Sequence, residues 1–259
     1  MKYLFCDLDG TLLRDYKDID QEDIKALQLA NQNGVSISIA TGRLDYEIRH
    51  LMNKYNFHGF RISQNGGVVF NDKNQMVHSF KLTTEEVQLI IKEVKKQDCL
   101  IFIQTEDEYI TPLKNDMIKA FEEKQQFITY IEKKDIFESL DQHHIITVSL
   151  WCKKHENIKV KAILDQVLPK NIKVYVSSDY TIDILNENNA KGEAIKRICA
   201  LENISLEDVY VVGDSYNDIS MFEITKHSFV MQQAHDAVKA KANHIVTCVK
   251  DVVEIILQS

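Results

Sequence analysis

Two aspartates, Asp7 and Asp9, stand one residue apart where the apolar run Tyr3-Leu4-Phe5-Cys6 ends. In extended chain both project to one side and Leu8 to the other. Like charges set that close repel each other, so the arrangement needs compensation. A bound cation would supply it, as would a reaction that uses both acids; a solvated acidic turn capping a strand is the ordinary alternative. Three further polar clusters occur along the chain: Thr41-Gly42-Arg43, Lys191 at the start of an amphipathic stretch, and Gly213-Asp214-Ser215-Tyr216-Asn217-Asp218. Taken singly, each fits a turn or a solvated surface as well as it fits a catalytic site.

The segments that carry these clusters repeat a pattern. Tyr3–Cys6 reads as a short buried strand. Ile24, Leu27 and Ala30 fall at helical spacing and Gly34 stops that helix. Val35-Ser36-Ile37-Ser38-Ile39-Ala40 then reads as a strand, followed by a helix over Asp45 to Tyr55, and Asn65-Gly66-Gly67 as a tight hairpin before Val68-Val69-Phe70. Strand and helix in alternation predict a parallel sheet covered on both faces. The middle of the chain differs: a helix from Thr84 leads to two short strands, and a helix from about His155 leads to two more. From Lys191 the first pattern returns, with a helix, a buried strand at Asp208–Gly213, and a last helix through Val252–Gln258. The expected fold class is α/β: a doubly wound parallel Rossmann-like core sheet formed by residues 1–82 and 188–259, interrupted by an inserted α+β cap domain over 83–187. In such sheets ligands sit beyond the carboxyl ends of the strands, where the four clusters fall.

Composition narrows the class. Of 259 residues, 44% are hydrophobic and 27% charged, enough to bury a core. The net charge of −8 provides no basic field for nucleic acid, so an anionic ligand needs a metal ion or a few placed lysines. Five scattered cysteines (Cys6, Cys99, Cys152, Cys199 and Cys248) without C-x-x-C spacing argue for reduced thiols rather than a disulfide or zinc framework. The apolar start is too short for a signal-peptide core and no run is long enough to span a membrane, so the expected setting is the cytoplasm, away from membranes.

In their order, the four clusters resemble the haloacid dehalogenase superfamily of aspartate-nucleophile phosphotransferases. Asp7-Leu8-Asp9-Gly10-Thr11 matches its D-x-D-x-T motif, Thr41 its phosphate-binding threonine, Lys191 its lysine, and Gly213 to Asp218 its G-D-x-x-N-D acidic motif. The resemblance covers the whole chain, and the insertion looks like the large cap of the Cof-like sugar-phosphatase branch. It implies Asp7 as nucleophile and Asp9 as the acid that protonates the departing oxygen and then deprotonates water. It also implies Mg²⁺ held by the Asp7 carboxylate, the Asp9 backbone carbonyl and the Asp214 carboxylate. Asp218 would touch the metal directly or act from behind, holding Lys191 or a metal-bound water. Thr41, the Gly42 amide, Lys191 and Asn217 would hold phosphoryl oxygens, and Thr11 would fix the loop. The implied activity is phosphoric monoester hydrolysis of a small phosphorylated metabolite, sugar phosphates foremost, by a monomer or small homo-oligomer. A sugar phosphomutase and a non-catalytic phosphometabolite-binding regulator are the alternatives.

Other residues receive plainer readings. Arg43 fits a phosphate-side role and a helix-start salt bridge equally. His143 and His144 lack ligand-spaced partners, Cys6 reads as a small buried residue, and Trp151 as cap core rather than a sugar platform. Gln233 stands where the branch commonly carries asparagine in its M-x-N-A loop.

Overall fold

The computed structural model describes residues 1–13, 18–124 and 128–259. From the N-terminus the elements are β1 (Tyr3–Cys6), α1 (Gln21–Gln32), β2 (Ser36–Ala40), α2 (Asp45–Tyr55), β3 (Arg61–Ser63), β4 (Val68–Phe70) and β5 (Met76–Ser79). Next come α3 (Thr84–Val94), β6 (Leu100–Thr105), β7 (Tyr109–Thr111), α4 (Asp116–Lys124), β8 (Tyr130–Glu132), β9 (Ile145–Trp151), α5 (Asn157–Val167), β10 (Ile172–Val176) and β11 (Thr181–Asn186). The last are α6 (Lys191–Glu202), β12 (Val209–Gly213), α7 (Ile219–Phe222), β13 (His227–Met231), α8 (Asp236–Lys239), β14 (His244–Val246) and α9 (Val249–Gln258). The chain divides into two compact units, Met1–His78 with Ala190–Ser259, and Ser79–Asn189.

In the larger unit one sheet runs β14-β13-β12-β1-β2-β3-β4-β5. β14 through β3 are parallel and β4 returns antiparallel to β3. Strands reach both ways from β1, so it lies inside the sheet and must be apolar on both faces. Its residues obey that demand. Leu4 and Cys6 pack into one core with α1, α2 and α9, while Phe5 points to the other face among Ile195, Ile198 and Met221 from α6 and α7. The doubly wound α/β fold read from the sequence is the fold observed.

The smaller unit holds a sheet ordered β10-β11-β9-β6-β7-β8, antiparallel except for the β7–β8 pair. Ile103, Val148, Leu150, Ile182 and Ile184 form one core with Val87, Ile90 and Ile91 of α3 and Val160 and Leu164 of α5. The alternate residues of the same strands carry aromatic and polar side chains. Phe102 lies 4.7 Å from Tyr130 between ring centroids, and Trp151 lies 5.1 Å from Phe121. Trp151 therefore belongs to an aromatic cluster of this unit.

The expectation of reduced thiols throughout is corrected here. Cys99 and Cys152 form a disulfide, their Cα atoms 4.4 Å apart. The cause is strand register. Leu100 pairs with Trp151 in the antiparallel β6–β9 ladder, so the next residues outward face each other although 53 positions separate them. Linear spacing does not register a partner across a ladder, and cysteine usage ceases to argue for a reducing compartment. Cys6, Cys199 and Cys248 are free thiols. Among the described residues, no helix is long and apolar enough to cross a membrane.

Candidate active site

β1 delivers Asp7 to its carboxyl end. The Asp7 backbone N–H still donates to Val212 O of β12 at 2.8 Å, so the nucleophile candidate is anchored by the ladder, and the chain turns immediately after it. Leu13 N–H donates to Leu8 O at 2.7 Å and Gly10 N–H to Leu13 O at 3.0 Å, closing a tight loop. Gly10 has φ +89°, a conformation open to glycine, and a β-carbon there would sit 2.4 Å from Asp214 Oδ2. Both demands favour glycine, since any side chain would be strained and would displace the Asp214 carboxylate.

Neighbouring strands bring the acids together. Asp214 follows β12, and Asp218 lies one turn on. Carboxylate oxygens of Asp7, Asp214 and Asp218 all lie within 4.8 Å of one another. Lys191, the first residue of α6, is fully buried and donates to Asp7 Oδ1 and to Asp218 Oδ1, each at 2.6 Å. The second Asp218 oxygen accepts from the backbone N–H groups of Asp214 and Ser215 at 3.0 and 2.9 Å. With both its oxygens engaged, Asp218 holds the lysine and the loop. Thr11 fixes Asp214 instead of facing outward, donating to Asp214 Oδ1 at 2.9 Å.

The electrostatics follow from this crowding. Burial and then Asp218 push the Asp7 carboxyl well above the usual range, with Lys191 opposing. Burial and Asp218 likewise push Asp214 up to about 6, against the Thr11 hydroxyl and Lys191. Burial alone would lower the Lys191 ammonium, but Asp218 and Asp7 on either side carry it above its usual value. Counted formally, three carboxylates outnumber one ammonium by two charges, which burial disfavours without a further cation, and the groups left to bind one are hard oxygens. That composition fits a divalent, oxygen-seeking cation such as Mg²⁺. Asp7 and Asp214 have the carboxylate oxygens best placed to hold one.

Asp9 is treated differently from Asp7. Arg43 grips it with two parallel hydrogen bonds, Nε to Oδ2 at 2.8 Å and Nη2 to Oδ1 at 2.6 Å. The remaining arm of the guanidinium reaches Glu47 Oε2 at 3.1 Å. Such a planar fork fixes direction as well as charge. The helix-start salt bridge expected of Arg43 is present, to Glu47 in the first turn of α2, and the same guanidinium orients the second acid. The sequence signal for Glu47 is the Arg43-x-x-x-Glu47 spacing, one helical turn.

Thr41 follows β2, buried, with its backbone N–H on Ile62 O of β3 at 2.9 Å. Its hydroxyl accepts from Arg43 N–H at 3.3 Å. Asn217 donates through Nδ2 to Asn65 Oδ1 at 2.9 Å, and Asn65 also lies beside Gly42. In the sequence Asn65 stands out only as part of a hairpin. The departing residue Gln233 donates from Nε2 to Gly10 O at 2.7 Å, so it supports the aspartate loop. Cys6 is fully buried, and burial pushes its thiol well above the usual value. His143 and His144 join no group suited to a metal; among the described residues that is Asp7, Asp214 and Asp218 alone.

With this geometry in hand, comparison with known proteins is informative. The family model for haloacid dehalogenase-like hydrolases matches residues 4–256. A Bacillus subtilis protein named 5-amino-6-(5-phospho-D-ribitylamino)uracil phosphatase YwtE is 24% identical over 95% of this chain and 92% of its own length. An Escherichia coli HMP-PP phosphatase is 21% identical over 92% of this chain and 87% of its own. Among solved structures, the subclass IIB sugar phosphatase BT4131 superposes with a TM-score of 0.80 at 24% identity, covering 100% of this chain and 97% of that one. SMU.1108c from Streptococcus mutans superposes at 0.86 with 21% identity, covering all of both chains. The structural likenesses speak for the fold, and the family match spans almost the whole sequence: the chain belongs to the haloacid dehalogenase-like hydrolase family.

Proposed function

We propose that the protein is a Mg²⁺-dependent phosphatase acting on small phosphorylated metabolites, sugar phosphates foremost, through a phosphoryl group carried on Asp7. The supporting observation is the contrast between two acids of one loop: Asp7 lies buried against Lys191, whereas Asp9 is held apart by Arg43. Acids kept in separate environments can take separate roles.

In the first step an Asp7 carboxylate oxygen bonds to phosphorus as the bond to the leaving oxygen breaks, and Asp9 gives that oxygen a proton. In the second step Asp9 takes a proton from water, the water oxygen bonds to phosphorus, and the Asp7 carboxylate departs. Arg43 occupies both Asp9 oxygens, so one arm of the fork must release before Asp9 donates. Lys191 offsets charge on the phosphoryl oxygens, with Thr41, the Gly42 amide and Asn217 offering donors. Mg²⁺, held by Asp7, Asp214 and the Asp9 carbonyl with Asp218 behind, would add positive charge beside the phosphoryl group. The smaller unit is assigned to leaving-group selection, and the chain to a monomer or small homo-oligomer of the cytoplasm.

The test is phosphate release from p-nitrophenyl phosphate and a sugar-phosphate panel, with Mg²⁺ or with EDTA, beside Asp7→Asn. Release that needs the metal, and that falls by at least about a thousandfold in the variant, is expected. Equal turnover by Asp7→Asn would falsify the nucleophile, and transfer without net phosphate release would favour a mutase.

A further inference from the structure

Asn65 sits in the turn after β3, in a sequence that reads as an ordinary hairpin, yet its surroundings are those of a functional residue. It is 3% exposed and adopts the left-handed conformation at φ +57°, directly after Gln64 at φ +48°. Two consecutive non-glycine residues in that region cost energy and persist only where contacts over-determine them. The contacts are present. Asn65 N–H donates to Thr41 O at 2.9 Å and Gln64 N–H to Arg43 O at 3.0 Å, which ties this turn to the loop after β2. The Asn65 side chain then spans two of the groups assigned to phosphoryl oxygens. Its Oδ1 accepts from Asn217 Nδ2 at 2.9 Å, and its Nδ2 lies 3.5 Å from the point where a β-carbon on Gly42 would stand.

Asn217 supplies a second, independent observation. Its Oδ1 is buried without a hydrogen-bond partner among the described residues. A buried amide oxygen left unpaired is unfavourable, so the amide is held in that orientation by whatever engages its nitrogen. The partner of that nitrogen is Asn65. The second hydrogen on Asn217 Nδ2 stays available for an anion.

We propose that Asn65 is a positioning residue of the phosphoryl pocket: it aims the Asn217 amide and seats the Thr41-Gly42 backbone beside it. This rests on the phosphatase reading above and adds a residue to it. The role is structural in its contacts but catalytic in its consequence, because a phosphoryl oxygen meets Asn217 in the orientation that Asn65 sets.

The experiment uses Asn65→Gly. Glycine accepts φ near +57° without strain, so the variant removes the side chain while the turn keeps its shape; circular dichroism and melting verify that it folds. With p-nitrophenyl phosphate and Mg²⁺, kcat/KM is expected to fall about tenfold, and the inhibition constant of inorganic phosphate to rise by a similar factor. The Mg²⁺ concentration giving half-maximal activity should not move. Combined with Asn217→Ala, Asn65→Gly should cause no loss beyond that of Asn217→Ala alone, because both changes remove one oriented donor. Wild-type kcat/KM and phosphate inhibition in Asn65→Gly would overturn the role, as would losses that multiply in the double variant. A wild-type chain that releases no phosphate would instead overturn the phosphatase reading on which the role rests.

Discussion

The two units place their polar groups by different rules. In the larger one, the residues of the candidate site gather where the strands end: Asp7 after β1, Thr41 after β2, Asn65 past β3, Asp214 after β12; Ser38 of β2 and Ser228 of β13, buried inside strands, accept from backbone N–H groups. In the smaller one, polar residues lie along the strands themselves. Gln104 Nε2 donates to Ser149 Oγ at 2.8 Å and Ser149 Oγ to Asp183 Oδ1 at 2.6 Å, a chain crossing three adjacent strands. A parallel sheet covered on both faces keeps few polar side chains away from its ends, and those it keeps must find a hydrogen-bond partner. An antiparallel sheet has a face on which alternate residues are free to differ. Polar groups converge at one end in the first case and are spread along a face in the second.

That contrast can be broken or sharpened by substitution. The largest effect is expected from Lys191→Met, which leaves Asp7 and Asp218 buried without their counter-charge. Breaking such a buried pair costs about 3–5 kcal/mol, to be read from urea unfolding, with Mg²⁺ restoring part of it. A variant as stable as wild type in EDTA would show that the cluster needs no internal cation. Next comes Arg43→Ala, which frees Asp9. Turnover of alkyl phosphates should drop about a hundredfold, and that of p-nitrophenyl phosphate far less, since nitrophenolate leaves without a proton. Equal losses on both would remove Arg43 from the proton step. The smallest effect belongs to the smaller unit. Ser149→Ala should cost about 1–3 kcal/mol by leaving Gln104 and Asp183 without their shared hydroxyl. Nitrophenyl phosphate turnover should survive it; abolition there would erase the distinction between the two sheets.

How much of this was legible beforehand follows the same division. Ile24, Leu27 and Ala30 mark their helix because period and burial coincide, and Asp7-x-Asp9-Gly10-Thr11 stands out because several constraints meet in five positions. The partner of Asp9 was not legible. Arg43 could be placed beside α2 by spacing, but its fork on Asp9 depends on β1 and β2 being neighbours in space. Asn65 was hidden by a turn signal strong enough to explain it alone. The Cys99–Cys152 pair was hidden by register, which no linear count contains. The sequence placed the boundaries of the insertion at 82/83 and 187/188; the compact units part at 78/79 and 189/190.

The bond from Lys191 to Asp7 joins residues 184 positions apart, and that from Thr11 to Asp214 spans 203. Closing loops of that length is slow, and here it waits on synthesis as well. A ribosome emits Asp7 well before β12, the strand whose Val212 carbonyl accepts from the Asp7 backbone N–H. Meanwhile Ser79–Asn189 is contiguous and can complete its own sheet. Nascent chains stalled before Val209 should therefore carry an ordered Ser79–Asn189 unit and an unfinished larger one, so that enzymatic competence waits for β12.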